Sequence, residues 1–378
     1  MRYVFIVQGE GRGHLTQAIS MERMLRYNGH KVAAILVGKS PARTLPAYFQ
    51  EGLLEQVETF ESFNFVPSSS NRKASSVKTG LYNVFHLHKF LPSIRFIARR
   101  LRETKPDVVV NFYDILGTFG YHWSGLKAPM VCVGHQFLFL HRGFKFPSKG
   151  YSGRFALNFF TNMVGWGAAR ILALSFRSMP EDTKRKIMVV PPLLREGVLL
   201  QTGTGLDGKP KIHDGGYLHG YMLNSGFSQD VLDWHKKHPE VPLRFFWDKK
   251  EEAPVKVVDD TLSFYYLDDE KFLEQMAGCH AYASTAGFES VCEAMCLGKP
   301  LLMVPSHIEQ KCNAYDATQG YEMMAAEDGK PVPRPAVTSD RFDLDLLLDF
   351  ADNKYVPDES FRSWVRSAES VFMKGLTF

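Results

Sequence analysis

The segment "STAGFESVCEAMCLGKPLLMVP", residues 284–305, decides the fold. An apolar run, Ala281–Ser284, empties into Thr285, Ala286 and Gly287, and helical spacing begins at about Phe288. Gly298-Lys299-Pro300 stops that helix, and a second apolar run, Leu301–Val304, follows. Strand, turn, helix and strand make one βαβ unit. The free N–H groups at the start of its helix face the crevice where an anion binds. Glu289 and Glu293 are four residues apart and share one helix face. Val291, Ala294 and Met295 fall on the other face and would pack on a sheet. From spacing alone, the two carboxylates are either turned toward a ligand or form an ordinary solvated edge.

The same alternation continues on both sides. Tyr217–Met222, Leu243–Trp247 and Leu262–Leu267 read as strands, with helices over Ser228–His238 and Asp269–Ala277. In the first half the strands are Tyr3–Val7, Lys31–Val37, Val108–Asn111, Met130–Val133 and Ile171–Leu174. Their uninterrupted apolar character fits parallel strands covered on both faces. Pro191-Pro192 marks a boundary. The reading is therefore α/β, with two Rossmann-like doubly wound domains facing a cleft: residues 1–192 and 193–358. A final helical stretch, about 359–378, is expected to pack back on the first domain. Residues 68–80, "SSSNRKASSVKTG", lack apolar periodicity and read as a loop.

Composition narrows the class. The chain has 378 residues, 45% hydrophobic and 23% charged, with a net charge of +4. That is globular and does not suggest a nucleic-acid partner. Cys132, Cys279, Cys292, Cys296 and Cys312 form no C-x-x-C pair and read as reduced, buried thiols. The first apolar run has strand length and not the shape of a signal peptide. Phe155–Ala169 is shorter than the roughly 20 residues a membrane span needs. The expected location is the cytoplasm, with peripheral contact at the inner face of a membrane left open.

A glycine cluster, "GEGRGH" at residues 9–14, follows the first strand. A dinucleotide loop would close with a third glycine where His14 stands, and would place an acid at the end of the second strand. That strand ends Val37-Gly38-Lys39. An NADP enzyme remains a minor alternative, and it leaves residues 284–314 unexplained.

Residues 284–305, continued by His307-Ile308-Glu309-Gln310 and Asn313-Ala314, resemble the donor-binding region of GT-B nucleotide-sugar glycosyltransferases. The nearest groups are glycosyltransferase family 28 and the UDP-glucuronosyltransferase-like enzymes. The resemblance runs through 284–314, 3–20 and 105–136 and is absent from 40–100 and 140–170. It implies that Glu293, five residues before Gly298, binds the ribose hydroxyls and that Glu309 and Gln310 contact the donor sugar. By the same resemblance Gly11 and Gly13 belong to a loop closed by His14, and His135-Gln136 ends an acceptor-side strand. Glu10, Arg12 and Glu289 depart from the usual pattern.

Transfer to a hydroxyl needs a base, a holder for the leaving diphosphate and a grip on the sugar. His14 is the expected base. Asp114 is expected behind it, with a loop-capping role as the alternative. The amides and hydroxyls of Asn224, Ser225 and Gly226, and of Thr285, Ala286, Gly287 and Ser290, are expected to hold the diphosphate, with Glu289 beside them. No bound metal and no tightly held cofactor are expected; a UDP-linked sugar is the co-substrate. Asp343-Leu344-Asp345 spells a metal-binding D-x-D, but its amphipathic setting makes it a chance match. His135, His141, Arg142 and Lys145 alternate with phenylalanines and form either an acceptor-side or membrane-facing patch or a buried loop. The expected function is hexosyl transfer from nucleotide sugar to a hydroxyl, inverting and metal-independent, the acceptor being a glycan or lipid-linked. A UDP-sugar 2-epimerase and a non-catalytic nucleotide-sugar binder are the alternatives.

Overall fold

The computed structural model describes residues 1–41, 44–62, 87–147, 153–203, 211–222, 225–247, 254–319 and 332–378. The loop expected over 68–80 and the site residue Asn224 lie outside these. Two seven-stranded sheets organise the chain. The first contains β1 (Arg2–Gln8), β2 (Lys31–Lys39), β3 (Val57–Glu61), β4 (Val108–Phe112), β5 (Met130–Gly134), β6 (Arg170–Leu174) and β7 (Ile187–Val190). Their order is β3-β2-β1-β4-β5-β6-β7, parallel throughout. Tyr3 to Val7 are completely buried, as a strand covered by helices on both faces requires.

The second sheet holds β8 (Leu218–Met222), β9 (Leu243–Trp247), β10 (Val255–Val257), β11 (Leu262–Tyr266), β12 (Ala281–Ser284), β13 (Leu301–Met303) and β14 (Ala336–Thr338). Its order is β10-β11-β9-β8-β12-β13-β14, with only β10 antiparallel. Chain direction across each sheet reverses beside its first strand, between β1 and β4 and between β8 and β12. Ligands bind beyond the strand ends at such switch points.

Both switch points carry the same local feature. Tyr113, one residue past β4, has φ 61, and Ala286, two past β12, has φ 59. Left-handed backbone is unfavourable for residues with a Cβ and persists where the surroundings fix it. Asn313 Nδ2 holds the Ala286 carbonyl at 3.0 Å.

The C-terminal stretch is two helices, Glu359–Arg366 and Ala368–Leu376, separated at Ser367. Arg362 Nε donates to the Cys296 carbonyl of the second domain, whereas Trp364 Nε1 donates to the Ser175 carbonyl of the first. The last helix lies on β6 and β7, where the Lys374 and Gly375 carbonyls accept from Arg170. Among the described residues no helix is long and apolar enough to cross a membrane.

Candidate active site

The site forms where the two switch points face each other. Gly11 starts the helix Arg12–Tyr27, and Gly287 starts the helix Phe288–Cys296; neither end has a side-chain cap. Uncapped first-turn N–H groups suit an anion. The two ends meet closely: a Cβ on Gly13 would lie 3.6 Å from Glu289 Cβ. Gln17 Nε2, one turn into the first helix, donates to Glu289 Oε2 at 3.2 Å. The other oxygen of Glu289 is buried without a partner. Burial, reinforced by the charge of Glu293, raises the Glu289 pKa to about 8. The group is therefore protonated near neutral pH.

His14 lies beside this junction, its ring stacked on Tyr113 with centroids 5.7 Å apart. Burial lowers its pKa to about 4, so the imidazole is neutral, and Nδ1 has no hydrogen-bond partner. The structure does not pair His14 with Asp114. Asp114 Oδ1 accepts from Gly117 N and so caps the helix Ile115–Ser124, while Oδ2 accepts from Ser62 Oγ at 2.9 Å. A Cβ on Gly38 would come 2.3 Å from Asp114 Oδ2, so glycine is needed there for close approach. The loop-capping alternative describes the geometry of Asp114.

A second cross-domain seam runs along the helix Ile308–Gln319, whose residues Glu309, Asn313 and Asp316 share one face by i, i+4, i+7 spacing. Gln136 Nε2 donates to Glu309 Oε1 at 3.1 Å, and burial raises the Glu309 pKa to about 7. Arg177 pairs with Asp316. His135 stacks flat on Phe288, centroids 3.8 Å apart, and its Nδ1 donates to the Leu174 carbonyl at 2.7 Å. Gln310 turns away from the seam, its Oε1 accepting from Ser306 N and Oγ.

Glu293 is 1% exposed. Both its oxygens are taken by Arg195, from Nε at 2.6 Å and from Nη2 at 3.0 Å. Arg195 Nη1 also donates to Asp269 Oδ1. Sequence spacing placed the two glutamates on one helix face; the structure sends Glu289 to the first domain and Glu293 to the interdomain linker. Thr285 is buried under the turn, and Ser290 Oγ bonds the Gly287 carbonyl at 3.3 Å. Ser225 and Gly226 lie in a single turn, Ser225–Phe227, ahead of the helix Ser228–His235.

Two further stretches take structural roles. Asp343 caps the helix Leu344–Asn353 through Leu346 N, and Asp345 accepts from Trp234 Nε1. Among the described residues, no cluster of three His, Cys, Asp or Glu could hold a metal. His135, Phe137, Phe139, His141 and Phe144 are buried while Arg142 and Lys145 are exposed, so the stretch is an amphipathic loop with its rings packed inward. Arg195, Gln17, Phe288 and the Arg177–Asp316 pair were not singled out from sequence. The Asp316 position was legible from helical spacing after Glu309 and Asn313; Arg195 carries no local pattern.

Two Rossmann-like domains facing each other across strand ends define a GT-B fold. A family model for glycosyl transferase family 1 matches residues 1–330, and the chain belongs to that family. It is a glycosyltransferase. No curated protein sequence matches it. Among solved structures, the kitacinnamycin glycotransferase has a TM-score of 0.60 at 14% identity, covering 100% of this chain and 99% of that one. Phytolacca americana UGT2, complexed with UDP-2-fluoro-glucose and pterostilbene, gives 0.60 at 13%, covering 97% and 94%. Acinetobacter baumannii MurG gives 0.54 at 14%, covering 99% and 98%. These likenesses concern the fold.

Proposed function

We propose that the protein moves a sugar from a UDP-linked donor to a hydroxyl acceptor, with inversion and without a metal. The observation that carries this reading is the meeting of two uncapped helix ends, at Gly11 and Gly287, with neutral His14 beside them. In this reading His14 takes the proton of the acceptor hydroxyl. The oxygen attacks the anomeric carbon while the bond to the diphosphate oxygen breaks, and one displacement inverts the centre. The electron pair leaves with UDP, whose charge the helix ends meet. Glu289, protonated at neutral pH, does not repel a diphosphate and has a proton to donate to it. Glu309 grips the sugar once Gln136 has released it. Glu293 reaches the ribose only when Arg195 gives up a carboxylate oxygen, so donor loading includes a rearrangement of the linker.

The GT-B neighbour with UDP-2-fluoro-glucose supports the choice of a UDP sugar for a chain of this fold. The test is UDP release from a panel of UDP sugars, with and without hydroxyl acceptors. Release that depends on an acceptor supports transfer. Release from UDP-N-acetylhexosamine alone identifies an epimerase, and tight UDP binding without turnover under any condition identifies a binder.

A further inference from the structure

We infer that the outer face of the helix Arg154–Val164 docks on an anionic lipid bilayer. Phe155 is 84% exposed, Phe159 59% and Trp166 57%, and their spacing aligns them along one side of the helix and its final turn. The Phe155 and Phe159 rings are stacked, and Trp166 packs on His122 at 4.1 Å, beside Trp123, itself 55% exposed. The stripe is about 16 Å long at the usual helical rise. A row of large aromatics in water is costly unless it meets another apolar phase.

Charge selects the occupant. Residues 115–180 contain seven Lys or Arg and not one Asp or Glu. At the start of the stripe the Arg154 guanidinium sits over the Phe146 ring at 3.7 Å. At its far end Arg102 Nη1 donates to the Trp123 carbonyl, and Lys127 is exposed nearby. Aromatic anchors with an exposed cation at each end, Arg154 and Lys127, suit the interface of a membrane carrying negative lipid. The stripe also begins at the cleft: a Cβ on Gly153 would lie 3.2 Å from Ile308 Cγ2, next to Glu309. Docking thus brings headgroups to the sugar end of the site. The sequence marked residues 155–169 only as an apolar run too short to span a membrane, and it placed the membrane-facing patch at 135–146 instead.

The test is co-sedimentation of the whole chain with phosphatidylcholine vesicles, with and without phosphatidylglycerol, and it requires no turnover. The protein is expected to pellet only with the anionic vesicles and to be released by salt. Phe155→Ser/Phe159→Ser/Trp166→Ser should lower the bound fraction at least tenfold with an unchanged melting midpoint. Should that variant misfold, Phe155→Ser alone, at the most exposed position, should still weaken binding. Equal pelleting of wild type and variants, or no pelleting with anionic vesicles, overturns the inference. A concentration-dependent dimer in sedimentation velocity that the triple variant abolishes also overturns it, because the stripe then belongs to a second copy.

Discussion

His14 is a neutral ring with one buried, unpartnered nitrogen, held against Tyr113 rather than against an acid. As a general base it should contribute about 10²–10⁴-fold. His14→Ala is therefore expected to lower turnover by that factor while UDP affinity, measured by calorimetry, changes far less. Because burial sets its pKa at about 4 and not 6.5, the acid limb of the kcat/KM profile should fall near pH 4. A limb near 6.5 would show that His14 is solvated in the working enzyme. Glu289 gives a stability prediction of definite sign. An acid whose pKa is raised on folding holds its proton more tightly when folded, so stability is lost as pH climbs from 4.5 to about 8. Glu289→Gln should match the wild-type melting temperature below pH 4.5 and exceed it increasingly up to pH 8. At this scale the sequence was a partial guide. The motif placed Glu289, Glu293, Glu309 and His14 near the right strand ends. It gave no hint that Arg195, from the distant linker, would take both oxygens of Glu293, because an ion pair across 98 residues leaves no periodic trace.

At the scale of elements, the helices decide which polar groups remain open. Asp114, Asp268, Asp343 and Asp358 cap four helices with their carboxylates. The ends at Gly11 and Gly287 have glycine instead, and no side chain caps their first-turn N–H groups. Asp114→Ala should cost about 0.5–2 kcal/mol in urea unfolding, the range for a lost cap, yet retain transfer far better than His14→Ala. Equal loss in the two variants would restore Asp114 as a partner of the base. Arg195→Ala should be harsher, since it strands Glu293 at 1% exposure; about 3–5 kcal/mol is typical for a broken buried pair. Buried strands were the most legible elements. Leu243–Trp247 and Ala281–Ser284 were read with the boundaries the structure shows, because a continuous apolar run leaves little choice. The edges were not. β3, Val-Glu-Thr-Phe-Glu, alternates with acids, all three residues of β10 are exposed, and β14 has only three residues.

For the molecule as a whole, Gln17–Glu289, Gln136–Glu309, Arg177–Asp316 and the His135–Phe288 stack hold the domains together across the cleft. A substrate that needs these groups must first part them. Arg177→Ala removes the cation of one such contact and should raise the radius of gyration in small-angle scattering, with added UDP sugar reversing the change. An unchanged radius would assign closure to the other contacts. Alternation of strands and helices made the two-sheet architecture legible from the sequence, since each apolar run needs a crossover to find a parallel neighbour. The closed seam was not legible, because it depends on how two finished surfaces meet.

The final pair of helices has a consequence of its own. The chain passes from the first sheet to the second near Arg195 and comes back through the helix Glu359–Arg366, so that the last helix lies on β6 and β7. Two tethers run side by side between the same bodies. Tethers so placed are expected to work as the two leaves of a door hinge, permitting rotation about one line and resisting twist and slide. They also mean that the first half is not a continuous stretch of the gene, since its last helix comes from the far end of the chain. A fragment ending at 192 would expose the floor on which Phe372 and Leu376 rest, both fully buried in the intact chain. Supplying residues 359–378 in trans should then solubilise it.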